Sequence, residues 1–101
     1  MNYINCDQLS ERIITNPEIQ IIDLRMPKQF EEHHIERAIN IPRKDFFQSL
    51  STIDLDQPIV LYCMFGQKSD EVALFLEKKY KNSTVYCLQG GYEEWEIQVT
   101  K

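Results

Sequence analysis

Strand-like and helix-like patterns alternate along this chain, and that alternation restricts its fold more than any other feature. Tyr3-Ile4-Asn5 is a short candidate strand, followed by a helix from about Asp7 with Leu9, Ile13 and Ile14 on one face. Asn16-Pro17 stops that helix, because the residue before a proline is pushed out of the helical region. Ile19 to Leu24 is mostly apolar and reads as a strand buried on both faces. Pro27 suits the first turn of a second helix, with Phe30 directed inward. Ala38-Ile39-Asn40-Ile41 is a further short strand closed by Pro42, and Phe46, Phe47 and Leu50 mark a short helix. Ile59 to Tyr62 is a buried-strand pattern, and the helix expected from Ser69 to Tyr80 repeats Val72, Ala73, Leu76 and Tyr80 at helical spacing, with Phe75 widening the stripe. Asp70 and Glu71 in its first turn and Lys78, Lys79 and Lys81 at its end match the helix macrodipole. Thr84 to Leu88 is the last strand, and Gly90-Gly91 turns it into a final short helix carrying Tyr92 and Trp95. This order predicts an α/β fold: a central, mainly parallel five-stranded sheet flanked by helices on both faces.

Bulk properties narrow the function classes. With 101 residues and no linker, repeat or low-complexity segment, a single domain over residues 1–101 is expected. A net charge of −5 argues against a nucleic-acid surface, which needs a concentrated basic face. No apolar run is long enough to span a membrane. The opening Met1-Asn2-Tyr3-Ile4-Asn5 has neither the basic nor the apolar region of a signal peptide. Three dispersed cysteines, Cys6, Cys63 and Cys87, suit neither a disulfide framework nor a zinc site, so reduced thiols in the cytoplasm and no metal are expected.

Cys63 is the candidate catalytic residue. It stands where the strand ending at Tyr62 gives way to Met64-Phe65-Gly66-Gln67-Lys68 and then to a helix opened by Ser69. At a strand-to-helix turn, backbone N–H groups converge on the side chain and the positive end of the helix dipole favours a thiolate. In parallel sheets, ligands bind at the carboxyl ends of the strands, where Cys63 falls. The bland alternative is a buried cysteine ending a core strand, the commoner fate of a lone cysteine.

Asp23-Leu24-Arg25, Phe30, His34-Ile35, Ala38 and Asn40-Ile41-Pro42 together resemble the N-terminal signature of rhodanese-like domains. Cys63 to Ser69 resembles that family's active-site loop, and Gly90-Gly91-Tyr92 with Trp95 resembles its C-terminal signature. The resemblance implies a sulfurtransferase that carries a sulfane sulfur as a persulfide on Cys63. The sulfur would come from a small donor such as thiosulfate and pass to a nucleophilic acceptor, cyanide or a thiol, including a protein thiol; no cofactor is implied. Met64, Phe65, Gly66, Gln67, Lys68 and Ser69 are the expected substrate-binding residues. Their backbone amides form an anion nest, Gly66 permits the tight turn, and Lys68 supplies a point charge for a sulfonate. The related cysteine phosphatases use a loop one residue longer, closed by arginine and preceded by histidine, where Tyr62 stands here; phosphatase activity is therefore not expected.

Several positions depart from the family pattern. Met64 and Lys68 stand where arginines are common, which weakens anion specificity. Asp70 and Glu71 bring negative charge near the thiol in sequence. Gln29, His33 and Arg37 replace the pattern's Glu, Gly and Gly, and Arg37 is expected to alter the local turn. Asp23 and Arg25 are expected to support the loop beside Cys63 as an ion pair, and His34 to stabilise a turn rather than act as a base. Cys87 reads as core, Trp95 as a cap on the core, and Met64 and Phe65 as exposed residues shaping the acceptor site. The competing functional class is a rhodanese-like binding or regulatory module with an idle cysteine. A redox or arsenate-type reductase would need a resolving cysteine that the spacing does not show.

Overall fold

Ile59, Val60, Leu61 and Tyr62 are all buried, and a strand with apolar residues on both faces must sit inside a sheet covered on both sides. The computed structural model, which describes residues 2–99, places this strand, β4 (Ile59–Tyr62), at the centre. The sheet has the order β1-β5-β4-β2-β3, with β1 (Asn2–Ile4), β2 (Gln20–Asp23), β3 (Ile39–Asn40) and β5 (Val85–Leu88), and every pairing is parallel. The expected five-stranded α/β architecture is the observed one. Met1, Thr100 and Lys101, included in the single-domain expectation, lie outside the described residues.

Side chains alternate across each strand, so the sheet divides the core in two. On one face Ile59, Leu61, Val85 and Cys87 pack with Val72, Ala73 and Leu76 of α3 (Gln67–Lys79) and with Phe46 and Ile53 from the segment after β3. On the other, Ile21, Val60, Tyr62 and Leu88 pack with Leu9 of α1 (Cys6–Thr15) and with Tyr92 and Trp95 of α4 (Gly91–Val99). Phe30 of α2 (Pro27–Glu32) packs against this second core. Trp95 therefore closes the core as expected.

Local chemistry explains where the elements begin and end. Asn5 caps α1: its side chain accepts from the Gln8 N–H at 2.8 Å while the Gln8 side chain accepts from the Asn5 N–H at 2.9 Å. Asn5 is thus a cap and not a strand residue. Ile14, expected on the buried face of α1, is 84% exposed. It lies five residues beyond Leu9, a rotation of about 140° from the core-facing direction, whereas Ile13 at four residues stays close to it. The segment Arg43–Thr52 is a 3₁₀ run and not an α-helix. It buries Phe46 but leaves Phe47 at the surface, edge-on to Phe75 with ring centroids 4.6 Å apart. Helix α3 starts at Gln67, two residues before the expected Ser69, because Gly66 takes the left-handed conformation (φ +96°) that ends the turn.

Arg37 also adopts a left-handed conformation (φ +70°), which a residue with a Cβ resists. Its guanidinium compensates by donating to the carbonyls of Ile13 at 2.9 Å, Pro17 at 2.8 Å and Ile19 at 3.3 Å, tying the α2–β3 turn to the end of α1. Arg37→Ala keeps the backbone strain and loses the latch, whereas Arg37→Gly loses the latch but removes the strain. Urea denaturation should therefore rank Arg37→Gly above Arg37→Ala by about 1 kcal/mol.

Candidate active site

The connections from β4 and β2 run to opposite sides of the sheet, β4 to β5 and β2 to β3. Their carboxyl ends therefore diverge and leave a crevice between them. A cleft of about 450 Å³ lies there, lined by Leu24, Arg25 and Met26 after β2, Pro42, Arg43 and Lys44 after β3, and Cys63, Met64, Phe65, Gln67 and Lys68 after β4. Topology alone thus brings Cys63 to the place where a parallel sheet binds ligands.

The loop after Cys63 is held from below. Helix α4 begins at Gly91, and its first amides have no partners within the helix. Two of them bind the loop: the Tyr92 N–H donates to the Cys63 carbonyl at 2.8 Å and the Glu93 N–H to the Met64 carbonyl at 3.0 Å. In a trans peptide the N–H points opposite to the carbonyl, so the Met64 and Phe65 amides are turned away from α4. The Gly66 N–H donates to the Cys63 Sγ at 3.1 Å. Gly66 carries no side-chain cap for α3, so the first-turn amides of α3 meet no capping side chain. Gly91 permits this approach: at φ +64°, an added Cβ would lie 2.5 Å from the Cys63 carbonyl oxygen and 2.7 Å from that of Met64.

A buried ion pair braces the β2 side. Asp23 is fully buried and accepts from the Arg25 backbone N–H (2.8 Å), Nε (3.1 Å to each oxygen) and Nη2 (2.8 Å). The Tyr62 hydroxyl donates to the same carboxylate at 2.7 Å and accepts from the Ile35 N–H at 3.2 Å. Burial opposes the Arg25 charge, yet the Asp23 carboxylate outweighs it and the guanidinium pKa is raised. Burial also raises the Tyr62 hydroxyl, which keeps it a donor. Arg25 further donates to the His33 carbonyl at 2.6 Å and lies 4.0 Å over the Tyr92 ring. The expected Asp23–Arg25 pair is present. The part played by Tyr62, one residue before the thiol, had no signal in the sequence beyond its position.

Of the loop residues, Met64, Phe65, Gln67 and Lys68 line the cleft. Phe65 is 63% exposed as expected, but Met64 is half-buried against the second core. Ser69 differs from expectation: it is fully buried, and its hydroxyl donates to the Gly66 carbonyl at 3.1 Å, so it braces the loop and does not face the cleft. Asp70 accepts from the Tyr3 hydroxyl at 3.2 Å, and Glu71 is paired with Arg43 of the cleft wall. His34 donates through Nδ1 to the Phe30 carbonyl (2.7 Å) and stacks on the Phe30 ring, in keeping with a turn role. Arg43 and Lys44 on the cleft wall were not anticipated; the topology alone brings them opposite the thiol loop.

The three cysteines are unpaired and differ in setting. Cys87 is fully buried, burial pushes its thiol up to about 12, and the thiol donates to the Ser69 carbonyl at 3.5 Å. Cys6 borders a separate cavity of about 310 Å³ that also holds Asp7 and Glu94. Burial and then these two carboxylates raise its thiol. Only Cys63 opens onto the cleft between β2 and β4.

A family model described as the rhodanese-like domain matches residues 5–98. The chain belongs to this family. The uncharacterized protein YqhL of Bacillus subtilis (strain 168) is 38% identical over 76 residues, which are 75% of this chain and 60% of YqhL, so the match spans less than two thirds of that relative. The thiosulfate sulfurtransferase GlpE of Pseudomonas syringae pv. syringae (strain B728a) is 32% identical over 75 residues, 74% of this chain and 70% of GlpE. The crystal structure of a rhodanese-related protein from Thermoplasma volcanium shares the fold, with a TM-score of 0.85 at 22% identity over 97% of this chain and 93% of that one. No helix among the described residues is long and apolar enough to cross a membrane, and no group of three or more His, Cys, Asp or Glu among them could hold a metal ion.

Two outcomes test this architecture. Gly91→Ala forces backbone apart beneath Cys63 and should lower stability by more than about 2 kcal/mol in denaturant titration. Burial raises Cys87 from 9.0 to about 12, so the folded chain keeps a proton that the unfolded chain releases. That stability is fully present below about pH 9 and is lost as pH rises toward 12, by at most roughly 1.4 kcal/mol per pH unit. Cys87→Val should flatten the alkaline decline of the denaturation midpoint.

Proposed function

We propose that this rhodanese-like domain is a sulfurtransferase in which Cys63 carries the sulfur. The observation that carries this reading is the Gly66 N–H directed at the Cys63 Sγ, at the base of a cleft whose walls bear Arg43, Lys44 and Lys68. Negative charge on that sulfur, as thiolate or as persulfide, is favoured by the amide and by the amino end of α3.

In the first half-reaction the Cys63 thiolate attacks the outer sulfur of thiosulfate. A Cys63 S–S bond forms, the donor S–S bond breaks, and sulfite leaves with the electron pair. In the second, a nucleophile such as cyanide or a thiolate attacks the terminal persulfide sulfur, and Cys63 departs as thiolate. No external oxidant is consumed. Lys68 and the loop amides hold the sulfonate and then the persulfide, Gly66 supplies the amide closest to the sulfur, and Ser69, Asp23 and Arg25 keep the loop in place. The relationship to GlpE supports thiosulfate as donor.

Phe65, with 63% of its surface exposed beside the thiol, favours a protein thiol as a second class of acceptor. The same exposed side chain favours the other reading, a binding module. Three unpaired cysteines accord with a reducing compartment, which we take to be the cytoplasm.

Intact-mass and peptide-mass measurement after thiosulfate treatment decides between the two. The expected result is one added sulfur atom on the peptide holding Cys63, released by cyanide as thiocyanate and absent in Cys63→Ser. No adduct from thiosulfate or from a low-molecular-weight persulfide would leave only the binding module.

A further inference from the structure

We propose that Arg43 is the residue that recognises the anionic end of the sulfur donor, and that Glu71 restrains it while the cleft is empty. This deepens the sulfurtransferase reading and rests on it. Between Met64 and Ser69 the loop contains no arginine, and Lys68 is its single cation. A lysine holds an oxyanion as a point charge, whereas a guanidinium binds two oxygens at once. The other guanidinium that reaches this cleft comes from the 3₁₀ segment after β3. Arg25 is committed to Asp23 and buried, which leaves Arg43.

Arg43 is fixed at its base and held at its tip by one exposed ion pair. Its backbone N–H donates to the Leu24 carbonyl at 3.0 Å, which holds the residue at the carboxyl end of β2 and beside the cleft. Its side chain is 39% exposed. Nη2 contacts Glu71 of α3 through one oxygen, and Nε is shielded from solvent with no acceptor among the described residues. The observed pairing therefore engages Nη2 and leaves Nε, on the same edge of the guanidinium, without an acceptor. A donor without an acceptor is disfavoured, and an ion pair this exposed is weakly held. A sulfonate or carboxylate entering the cleft offers two oxygens in one plane, which the Nε and Nη2 edge can engage together once the side chain swings off Glu71 into the cleft. Exchange of Glu71 for such an oxyanion trades a single contact for a bidentate one.

The chemical class follows. The preferred donor has an oxyanion head next to or near its sulfane sulfur, and neutral persulfides are discriminated against. Lys44 and Lys68 on the same walls strengthen the local positive field in a chain whose net charge is −5.

Arg43→Gln, Glu71→Gln and the double variant test this in the full chain. The first measurement is the rate of Cys63 alkylation by iodoacetate divided by that by iodoacetamide, followed by peptide mass. These reagents differ in charge, and neither needs sulfur transfer. The ratio should fall about fivefold or more in Arg43→Gln and rise about threefold in Glu71→Gln. In the Arg43→Gln background, Glu71→Gln should add nothing, because Glu71 acts through Arg43. Additive effects in the double variant indicate only a general field, and they overturn the proposal, as do unchanged ratios.

The second measurement is KM for thiosulfate, which should rise in Arg43→Gln and fall in Glu71→Gln with smaller changes in kcat. The expected ratios with no persulfide formed from thiosulfate would overturn the sulfurtransferase reading and leave the anion site standing. Normal persulfide formation with unchanged ratios would overturn the Arg43 assignment alone. Glu71 is 63% exposed, so its variant retains the test even if Arg43→Gln does not fold.

Discussion

A carboxylate with no access to water organises this molecule. Asp23 ends β2 in full burial, and an unpaired charge there would disfavour folding by several kcal/mol. Its partners arrive from different parts of the chain: the backbone and guanidinium of Arg25 two residues on, and the hydroxyl of Tyr62 from β4. The Asp23 backbone carbonyl also receives the Ile41 N–H and the Asn40 side chain, both at 3.0 Å. Satisfying one buried residue therefore sets the relative positions of β2, β3 and β4 at their carboxyl ends. Those ends are the floor of the cleft, and the thiol follows directly on Tyr62.

The thiol loop takes its shape from a second constraint, imposed from the far end of the chain. Helix α4 belongs to the core opposite α3, yet its first amides bind the carbonyls of Cys63 and Met64. Ser69, buried in the first turn of α3, grips the Gly66 carbonyl from the other side. The loop is thus clamped between helices that pack on opposite faces of one sheet. Its amides are held by backbone groups and one hydroxyl and need no charged side chain, which accords with a loop that carries one cation and no arginine.

Much of this was legible in the sequence, for definable reasons. Strand and helix order follow from side-chain period, so the five strands and the flanking helices could be read directly. The Cys63 position and the Asp23–Arg25 pair came from local motifs. Boundaries were less legible where a single backbone angle decides them: Gly66 moves the start of α3 to Gln67, and Asn5 ends β1 by capping α1. The Arg37 latch is not legible locally, because its side chain finds three carbonyls that no local pattern reveals. The cleft residues Arg43 and Lys44 were missed for the same reason. They are close to Cys63 only because β2 separates β3 from β4 in the sheet.

The lengths of the outer strands bear on how the molecule behaves in company. At one edge of the sheet β1 has three residues, and at the other β3 has two and is soon followed by Pro42, which has no amide hydrogen to offer. An incoming strand gains affinity by extending a ladder of backbone hydrogen bonds, and these edges offer few rungs. The apolar, four-residue strands that could template such growth are all interior. The brevity of its margins disfavours growth of the sheet by strand addition, without needing charge along them.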